Sequence, residues 1–267
     1  MKLFDTSKYT VSEAKPFPLI LLLDVSSSMN TRIASGKTRI DDLNQAVAEL
    51  FIELKKQVEF TYQVSVITFG SQVRLHTHPT DVQTLQWHNL QANGMTPLAI
   101  ALEMAHDLLE DTSQIPKRCF QPTVLLVSDG EPNGRPWEPA LHKFLQEGRS
   151  KHCDRMAIAI GEDAIKPGKA RKVLEKFIEG SPFDVVFEAS DAWGLTQIFR
   201  QITEVVTKKS QRLSTKVPGN QQSTTTGVKQ RSSIPSNNGS SVTTSRKTSF
   251  SSRSIQMPAA DEDSEDY

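Results

Sequence analysis

An aspartate and two serines at alternate positions, Asp24, Ser26 and Ser28, directly follow the apolar residues 18–23. One carboxylate and two hydroxyls in a short loop supply the hard oxygen ligands that hold Mg2+ or Ca2+ in proteins. Aspartate and serine are also common in ordinary turns, so this stretch predicts a metal site only if further oxygen ligands lie beside it.

Two later places in the chain supply such ligands. Thr96 precedes Pro97, a pair typical of a helix start, with threonine as the N-cap and proline at the first helical position. Asp129 follows a second apolar run, residues 122–127. The carboxyl ends of parallel strands and the helix starts beside them meet at one edge of an open sheet. Five side chains are therefore predicted to converge there: Asp24, Ser26, Ser28, Thr96 and Asp129.

This combination of two carboxylates and three hydroxyls predicts the kind of metal. It suits Mg2+, which prefers octahedral oxygen coordination and keeps several water ligands, with Mn2+ and Ca2+ as alternatives. Histidine and thiolate are absent from the five, which argues against zinc and copper. If either carboxylate acts through a water molecule, the ion keeps net attraction for an incoming anion.

The elements that would position these ligands follow from apolar periodicity. The run before the first aspartate does not alternate, which is typical of a strand buried on both faces of a sheet. Thr38 and Asp41 form a capping box at the start of a helix whose apolar stripe extends to Val58. Residues 62–69 and 72–77 alternate across a two-residue break. So short a link permits only an antiparallel hairpin, which predicts an edge strand.

The remaining elements indicate the fold class. Strands are predicted at 17–24, 122–129, 155–161 and 184–187, and helices from Thr96 and at 138–144, 169–178 and 192–208. This order predicts an α/β fold: a doubly wound, mostly parallel central sheet with one antiparallel edge strand and helices on both faces. Neither Gly-x-Gly-x-x-Gly after the first strand nor Gly-x-x-x-x-Gly-Lys-Ser/Thr occurs, so nucleotide-binding versions of this fold lose their main support.

The 267 residues carry 31 basic and 31 acidic side chains, unevenly distributed. Residues 1–16 are a polar lead-in, residues 17–208 the predicted domain, and residues 209–267 a Ser/Thr-rich tail. The tail has no acidic residue from 210 to 256 and then an acidic cluster at 261–266, a composition that predicts disorder. Hydroxyls beside basic residues in this tail are predicted kinase sites: Ser232, Ser233, Thr248 and Ser249.

The cellular compartment is predicted from cysteine usage and from the N-terminus. Cys119 and Cys153 are the two cysteines, too few for a disulfide framework or a four-cysteine zinc site, so a reducing compartment and small packed side chains are expected. The first residues lack the pattern of a secretory signal, and the longest apolar run is too short to span a bilayer. A cytoplasmic protein without membrane or nucleic-acid partners is predicted.

The five ligand positions resemble, residue by residue, the metal-ion-dependent adhesion site of von Willebrand factor A domains, and the likeness spans about residues 17–207. Within that family the chain resembles the bacterial TerY-like group associated with tellurite resistance. Four stretches carry this second likeness: residues 22–29, 66–69, 94–98 and 128–132. Ser27 and Met95 stand where the family often has glycine, and neither replaces a ligand.

This resemblance implies binding rather than catalysis. Ser26, Ser28 and Thr96 would contact the ion directly, and Asp24 and Asp129 directly or through water. The vacant coordination position would accept an Asp or Glu carboxylate of a partner protein. Because relatives are often encoded beside a Ser/Thr protein kinase and a PP2C-type phosphatase, the resemblance also implies an adaptor in a stress-response or phospho-signalling system.

Three enzyme classes are alternatives to this interpretation. A haloacid-dehalogenase phosphatase also places a nucleophilic aspartate after its first strand, but it needs a second aspartate where Ser26 stands. Response-regulator receivers need an acidic pair and a lysine around the phospho-accepting aspartate, and Asp129 has no such set. A serine hydrolase needs a Gly-x-Ser-x-Gly elbow, which is absent. The metal-dependent phosphatase of haloacid-dehalogenase type is therefore retained as the alternative function.

Overall fold

The computed structural model of the chain describes residues 15–33 and 36–214. Most of the predicted lead-in, the phosphorylation sites and the acidic cluster lie outside these described residues. The predicted disorder of residues 215–267 therefore stays a prediction.

Six strands form one sheet in the order β3-β2-β1-β4-β5-β6. The strands are β1 (Pro16–Asp24), β2 (Thr61–Phe69), β3 (Val73–Asp81), β4 (Thr123–Ser128), β5 (Asp154–Ile160) and β6 (Phe187–Ala189). Every neighbouring pair is parallel except β2 with β3, which is antiparallel and lies at the edge. The predicted fold class, including the antiparallel edge strand, is confirmed.

Within the described residues, six α-helices cover both faces of this sheet. They are α1 (Arg39–Lys55), α2 (Leu98–Glu110), α3 (Glu138–Gln146), α4 (Glu162–Ile165), α5 (Lys169–Ile178) and α6 (Ala192–Ser214). Apolar side chains of α1 and α6 belong to one core cluster, and those of α2, α3 and α5 belong to a second. Among the described helices, none has the length and apolar character needed to cross a membrane.

Strand β1 lies at the centre of the sheet and contributes to both cores. Leu21 and Leu23 pack in the cluster under α1, whereas Ile20 and Leu22 pack in the cluster under α2. All four side chains are fully buried. This burial on two faces accounts for the unbroken apolar run that precedes Asp24.

The start of α1 agrees with its predicted capping box, and its end differs from the prediction. The Asp41 backbone N–H donates to Thr38 Oγ1 at 3.3 Å, and the Thr38 N–H donates to Asp41 Oδ2 at 2.9 Å. The helix ends at Lys55, and Val58 is 85% exposed. Including Val58 in the buried stripe was wrong, because the chain leaves the helix one turn earlier.

Other element boundaries shift in ways that periodicity did not indicate. The last strand is Phe187–Ala189 rather than 184–187, because β5 pairs with the chain only from Phe187 onward. Helix α6 continues to Ser214, past the predicted domain end at 208, through residues 209–214, which include neither proline nor glycine. The one-turn helix α4 was not predicted.

Candidate metal site

The candidate site lies at the carboxyl edge of the two central strands. Asp24 is the last residue of β1, and Asp129 directly follows β4. Leu23 pairs with Val127 in the parallel register, which brings the ends of the two strands side by side. Parallel pairing thus places both carboxylates at the same edge, as the sequence predicted.

A chain of hydrogen bonds joins four of the five predicted ligands. Ser26 Oγ lies 2.9 Å from Ser28 Oγ, and Ser28 Oγ donates to Asp129 Oδ1 at 2.7 Å. The Ser26 backbone N–H donates to Asp24 Oδ1 at 2.9 Å, while Ser128 Oγ donates to Asp24 Oδ2 at 2.6 Å. Two carboxylates and two serine hydroxyls therefore form one continuous polar cluster.

Thr96, the fifth predicted ligand, sits on a loop that is hydrogen-bonded to both of the other loops. The Ser27 N–H donates to the Gly94 carbonyl at 2.9 Å, and the Gly94 N–H donates to Ser27 Oγ at 2.9 Å. On the other side, the Thr96 N–H donates to Asn133 Oδ1 at 2.8 Å, and the Asn133 N–H donates to the Thr96 carbonyl at 3.1 Å. These bonds fix the Thr96 backbone between the loops that carry the two aspartates.

The predicted capping role of Thr96 is wrong. Helix α2 begins at Leu98, Pro97 occupies the N-cap position, and no side chain caps the helix. Thr96 is only 4% exposed, and within the described residues its hydroxyl makes no hydrogen bond. Its Oγ1 is not among the fully buried polar atoms that lack a hydrogen-bond partner, so it keeps access to solvent, and its role as a ligand stays a prediction.

The approach of the Thr96 loop to Ser71 depends on glycine. Gly94 has a φ of 84°, and a Cβ built there would lie 2.3 Å from the backbone N and Cα of Ser71. A side chain would therefore move the loop away, and with it the two hydrogen bonds to Ser27. Gly94 is required by both its backbone conformation and its close packing.

Burial and the nearby charge of Asp129 raise the pKa of the Asp24 carboxyl. Asp24 is 0% exposed and Asp129 is 1% exposed. Burial, and then the charge of Asp129, raise the pKa of Asp24 to about 6, although hydrogen bonds from Ser128 and Ser26 oppose this shift. Two buried carboxylates that repel each other are a favourable environment for a cation, which would replace the proton.

Three residues that hold this cluster were not assigned roles from the sequence. Arg39 Nη1 lies 2.8 Å from Asp129 Oδ2, and the two side chains are 8% and 0% exposed. Ser128 and Asn133 adjoin the predicted motif around Asp129, so their proximity could have been inferred from the strand and its loop. Arg39 carries no such signal, because it is separated from Asp129 by 90 positions.

The donor set fits a hard divalent cation. Carboxylate and hydroxyl oxygens make up the cluster, and these are the ligands that such cations prefer. Within the described part of the chain, no group of three or more His, Cys, Asp or Glu side chains could hold a metal ion.

The histidines and cysteines lie elsewhere. His76 packs its ring 5.5 Å from that of Trp87 on the edge strand β3, where His78 also lies. Cys153 is buried and Cys119 is partly exposed, and both are free thiols. Burial raises the pKa of the Cys153 thiol to about 12, so this cysteine is a packing residue.

Part of the chain, including the carboxyl edge of the two central strands, is similar to a known protein family. Residues 19–131 match the family model of the von Willebrand factor type A domain. This matched segment contains all five predicted ligands. A search of curated proteins found no match.

Three solved structures with low sequence identity share the fold. Pilus adhesin SpaC from Lactobacillus rhamnosus GG aligns at 14% identity over 74% of this chain and 31% of its own, with a TM-score of 0.56. The PilB minor pilin from Streptococcus sanguinis aligns at 12% identity over 79% and 65%, with a TM-score of 0.56. Proximal thread matrix protein 1 from the mussel byssus aligns at 20% identity over 71% and 48%, with a TM-score of 0.50.

The chain spans less than two thirds of the length of each of these proteins, and at such identities the likeness concerns the fold. None of these findings supports the haloacid-dehalogenase alternative. The family match covers residues 19–131, less than half of the chain, and these residues include the carboxyl ends of the two central strands and all five predicted ligands.

Proposed function

We propose that this domain is a metal-dependent protein-interaction module. A Mg2+ ion, or Mn2+ or Ca2+ in its place, would be held by Asp24, Ser26, Ser28, Thr96 and Asp129. Bound there, the ion would supply an open coordination position for a hard anionic oxygen. The observation that supports this proposal most is the hydrogen-bonded cluster of two serine hydroxyls with two almost fully buried carboxylates at one edge of the sheet.

The partner would dock through an Asp or Glu carboxylate. Such a group is both hard and negatively charged, so it suits an ion that the site does not fully neutralise. The surrounding contacts would come from the loops at 29–33, 36–37, 93–95 and 130–135. Met95, in the loop at 93–95, is 57% exposed and offers apolar contact area beside the carboxylate.

The wider role rests on the family resemblance. We propose an adaptor in a bacterial stress-response or Ser/Thr phospho-signalling system, of the kind associated with tellurite resistance. A Ser/Thr kinase and a PP2C-type phosphatase are its proposed partners, and the cytoplasm its proposed location. The domain would recruit such partners and would not itself catalyse their reactions.

The decisive experiment compares two buried threonines whose hydroxyls lack protein partners. Thr123, at the start of β4, is 0% exposed and its Oγ1 makes no hydrogen bond. Thr96→Val should weaken Mg2+ binding at least tenfold in calorimetry, because it removes a ligand. Thr123→Val should leave the Mg2+ affinity unchanged, because its hydroxyl lies at the opposite end of the strand.

Partner docking is tested by affinity capture from the native host with the same variants. Capture should fall with chelator and with Thr96→Val, and should persist with Thr123→Val. Equal Mg2+ affinity in both variants, or capture indifferent to chelation, would contradict the proposed site.

A further inference from the structure

Arg39 is fixed beside the proposed metal site by its place in the chain. It is the first residue of α1, directly after the capping-box threonine Thr38. Its backbone N–H donates to the Thr31 carbonyl at 3.1 Å, which anchors the helix start to the loop that follows Ser28. The side chain then runs inward, where it is only 8% exposed and pairs with Asp129.

The fold reserves space for this guanidinium. Gly161, directly after β5, has a φ of 75°, and a Cβ built there would lie 2.4 Å from Arg39 Cζ. A side chain at this position would force the guanidinium to shift. The guanidinium is buried, ion-paired and packed against a glycine, so its position beside Asp129 is fixed by the fold.

The net charge of the cluster formed by Asp24, Asp129 and Arg39 changes sign when a divalent ion binds. Asp24 and Asp129 contribute two negative charges, and Arg39 contributes one positive charge. Without metal the cluster is therefore net negative, and with a divalent ion it is net positive by one charge. If Arg39 were neutral, the loaded cluster would have no net charge and would attract a carboxylate less strongly.

We propose that Arg39 is a positioning residue whose charge weakens the binding of the metal and strengthens the binding of a carboxylate to the metal-loaded site. In the metal-free protein it neutralises and orients Asp129. In the loaded protein its charge repels the ion, which weakens metal binding, and leaves the site cationic, which strengthens capture of a carboxylate. This inference rests on the proposed metal site and adds to it a residue that is not itself a ligand.

The first test is the metal affinity of Arg39→Gln. Glutamine can still donate a hydrogen bond to Asp129 but carries no charge. We expect Mg2+ and Mn2+ to bind at least tenfold more tightly, because the guanidinium that pairs with Asp129 repels a cation held by the same carboxylate. Arg39→Lys, which keeps the charge, should stay near the wild-type affinity.

The direction of this change separates the proposal from a purely structural role. If Arg39 only held the loop in place, its loss would weaken metal binding. Arg155→Gln is the matched control, because Arg155 is similarly buried but donates to backbone carbonyls far from the aspartates. If Arg39→Gln does not fold, Arg39→Met removes the same charge while keeping similar apolar volume.

The second test uses acetate as the carboxylate probe on the Mn2+-loaded protein. Acetate that displaces a metal-bound water lowers the enhancement of water proton relaxation by Mn2+. At saturating Mn2+, Arg39→Gln should bind acetate several-fold more weakly than the wild type, in the opposite direction to its metal affinity. Arg39→Lys should again resemble the wild type.

The outcomes distinguish this inference from the proposed function. A wild-type protein that binds neither Mg2+ nor Mn2+ would overturn the proposed function itself. A wild-type protein that binds metal, together with unchanged or weaker metal binding in Arg39→Gln, would overturn only the role of Arg39. An equal tightening in Arg155→Gln would also overturn it, because the effect would then not depend on proximity to the ion.

Discussion

Two arginines of nearly equal burial are satisfied in different ways at opposite ends of the sheet. Arg39 is 7% exposed and pairs with the Asp129 carboxylate at the carboxyl edge. Arg155, near the start of β5, is 5% exposed and donates to three backbone carbonyls, those of Phe177 at 2.9 Å, Cys153 at 3.2 Å and Glu179 at 2.8 Å. One cation is held by an ionisable group and the other by the backbone.

The difference separates a cation that satisfies backbone carbonyls from one that lies in the proposed metal site. Phe177 and Glu179 lie at the C-terminal end of α5, where the last carbonyls have no partner within the helix. A cation there satisfies these carbonyls and interacts favourably with the helix dipole. At the carboxyl edge, by contrast, the polar groups do not satisfy one another, since the Thr96 hydroxyl lacks a partner among the described residues and two carboxylates repel each other.

The largest expected effect is on stability at the end of the sheet where Arg155 donates to the three backbone carbonyls, which we call the carbonyl-capped end. Arg155→Ala would leave three carbonyls without their donor, and we expect the free energy of unfolding to fall by about 4 kcal/mol. Chemical denaturation measures this loss. The Mg2+ affinity of the folded fraction should not change, and a parallel loss of metal binding would show that the two ends are energetically coupled.

The next effect is a gain in stability rather than a loss. At the carboxyl edge, removing the charge of Asp24 should stabilise the metal-free protein. The pKa of Asp24 rises from 3.8 in the unfolded chain to about 6 in the folded one. Between these values the folded state binds more protons, so the contribution of Asp24 to stability falls as the pH rises from about 4 to about 6 and is constant above that. Over this pH range the contribution of Asp24 to the free energy of unfolding falls by about 3 kcal/mol.

Asp24→Asn should therefore unfold at higher denaturant concentration than the wild type at pH 8, in the presence of chelator, while losing Mg2+ binding. The advantage should shrink as the pH is lowered toward 4. Thr96→Val is the control, because it removes a proposed ligand and keeps the carboxylate, so its stability should follow the wild-type pH dependence. An advantage of Asp24→Asn that did not depend on pH would contradict the charge repulsion.

A third comparison uses two glycines in the loops at the carboxyl edge. Gly94 and Gly134 have φ angles of 84° and 86°, but a Cβ at Gly134 would meet nothing within 4 Å, whereas one at Gly94 would collide with Ser71. Alanine at Gly134 should cost about 1 kcal/mol from its left-handed conformation alone. Alanine at Gly94 should cost about 2 kcal/mol more and should also weaken Mg2+ binding, because the Thr96 loop must move.

Local patterns predicted those parts of the fold that depend on neighbouring residues. The unbroken run before Asp24 indicated a strand buried on two faces, and the Thr38 capping box marked the start of α1. The two-residue break after Phe69 indicated the antiparallel edge strand. Parallel topology then placed Asp24 and Asp129 at one edge, because strand direction alone fixes which ends meet.

Features that depend on distant residues were not predictable in this way. The Arg39–Asp129 pair requires the geometry of α1 against β4, which no local pattern encodes. Thr96 precedes a proline and thus resembles a cap, but its loop is instead fixed by Asn133 and by Ser27. Val58 fits the apolar stripe of α1 by spacing, yet the chain has already left the helix.

The smallest effect concerns the two thiols at the carbonyl-capped end, which report on its opening without altering stability. Cys153 Sγ donates to the Arg149 carbonyl at 3.7 Å, and Arg149 Nη2 donates to Cys119 Sγ at 3.8 Å. Because burial raises the pKa of Cys153 to about 12, almost none of it is thiolate at pH 8.

Iodoacetamide should therefore modify Cys119 first and Cys153 only through opening of this region. Mass spectrometry of digested protein should show Cys153 alkylation accelerated by Arg155→Ala and unaffected by Mg2+ or by Thr96→Val. Protection of Cys153 by Mg2+ would mean that the site at the carboxyl edge stabilises the far end of the sheet as well, and the division between a structural end and a ligand-binding end would then fail.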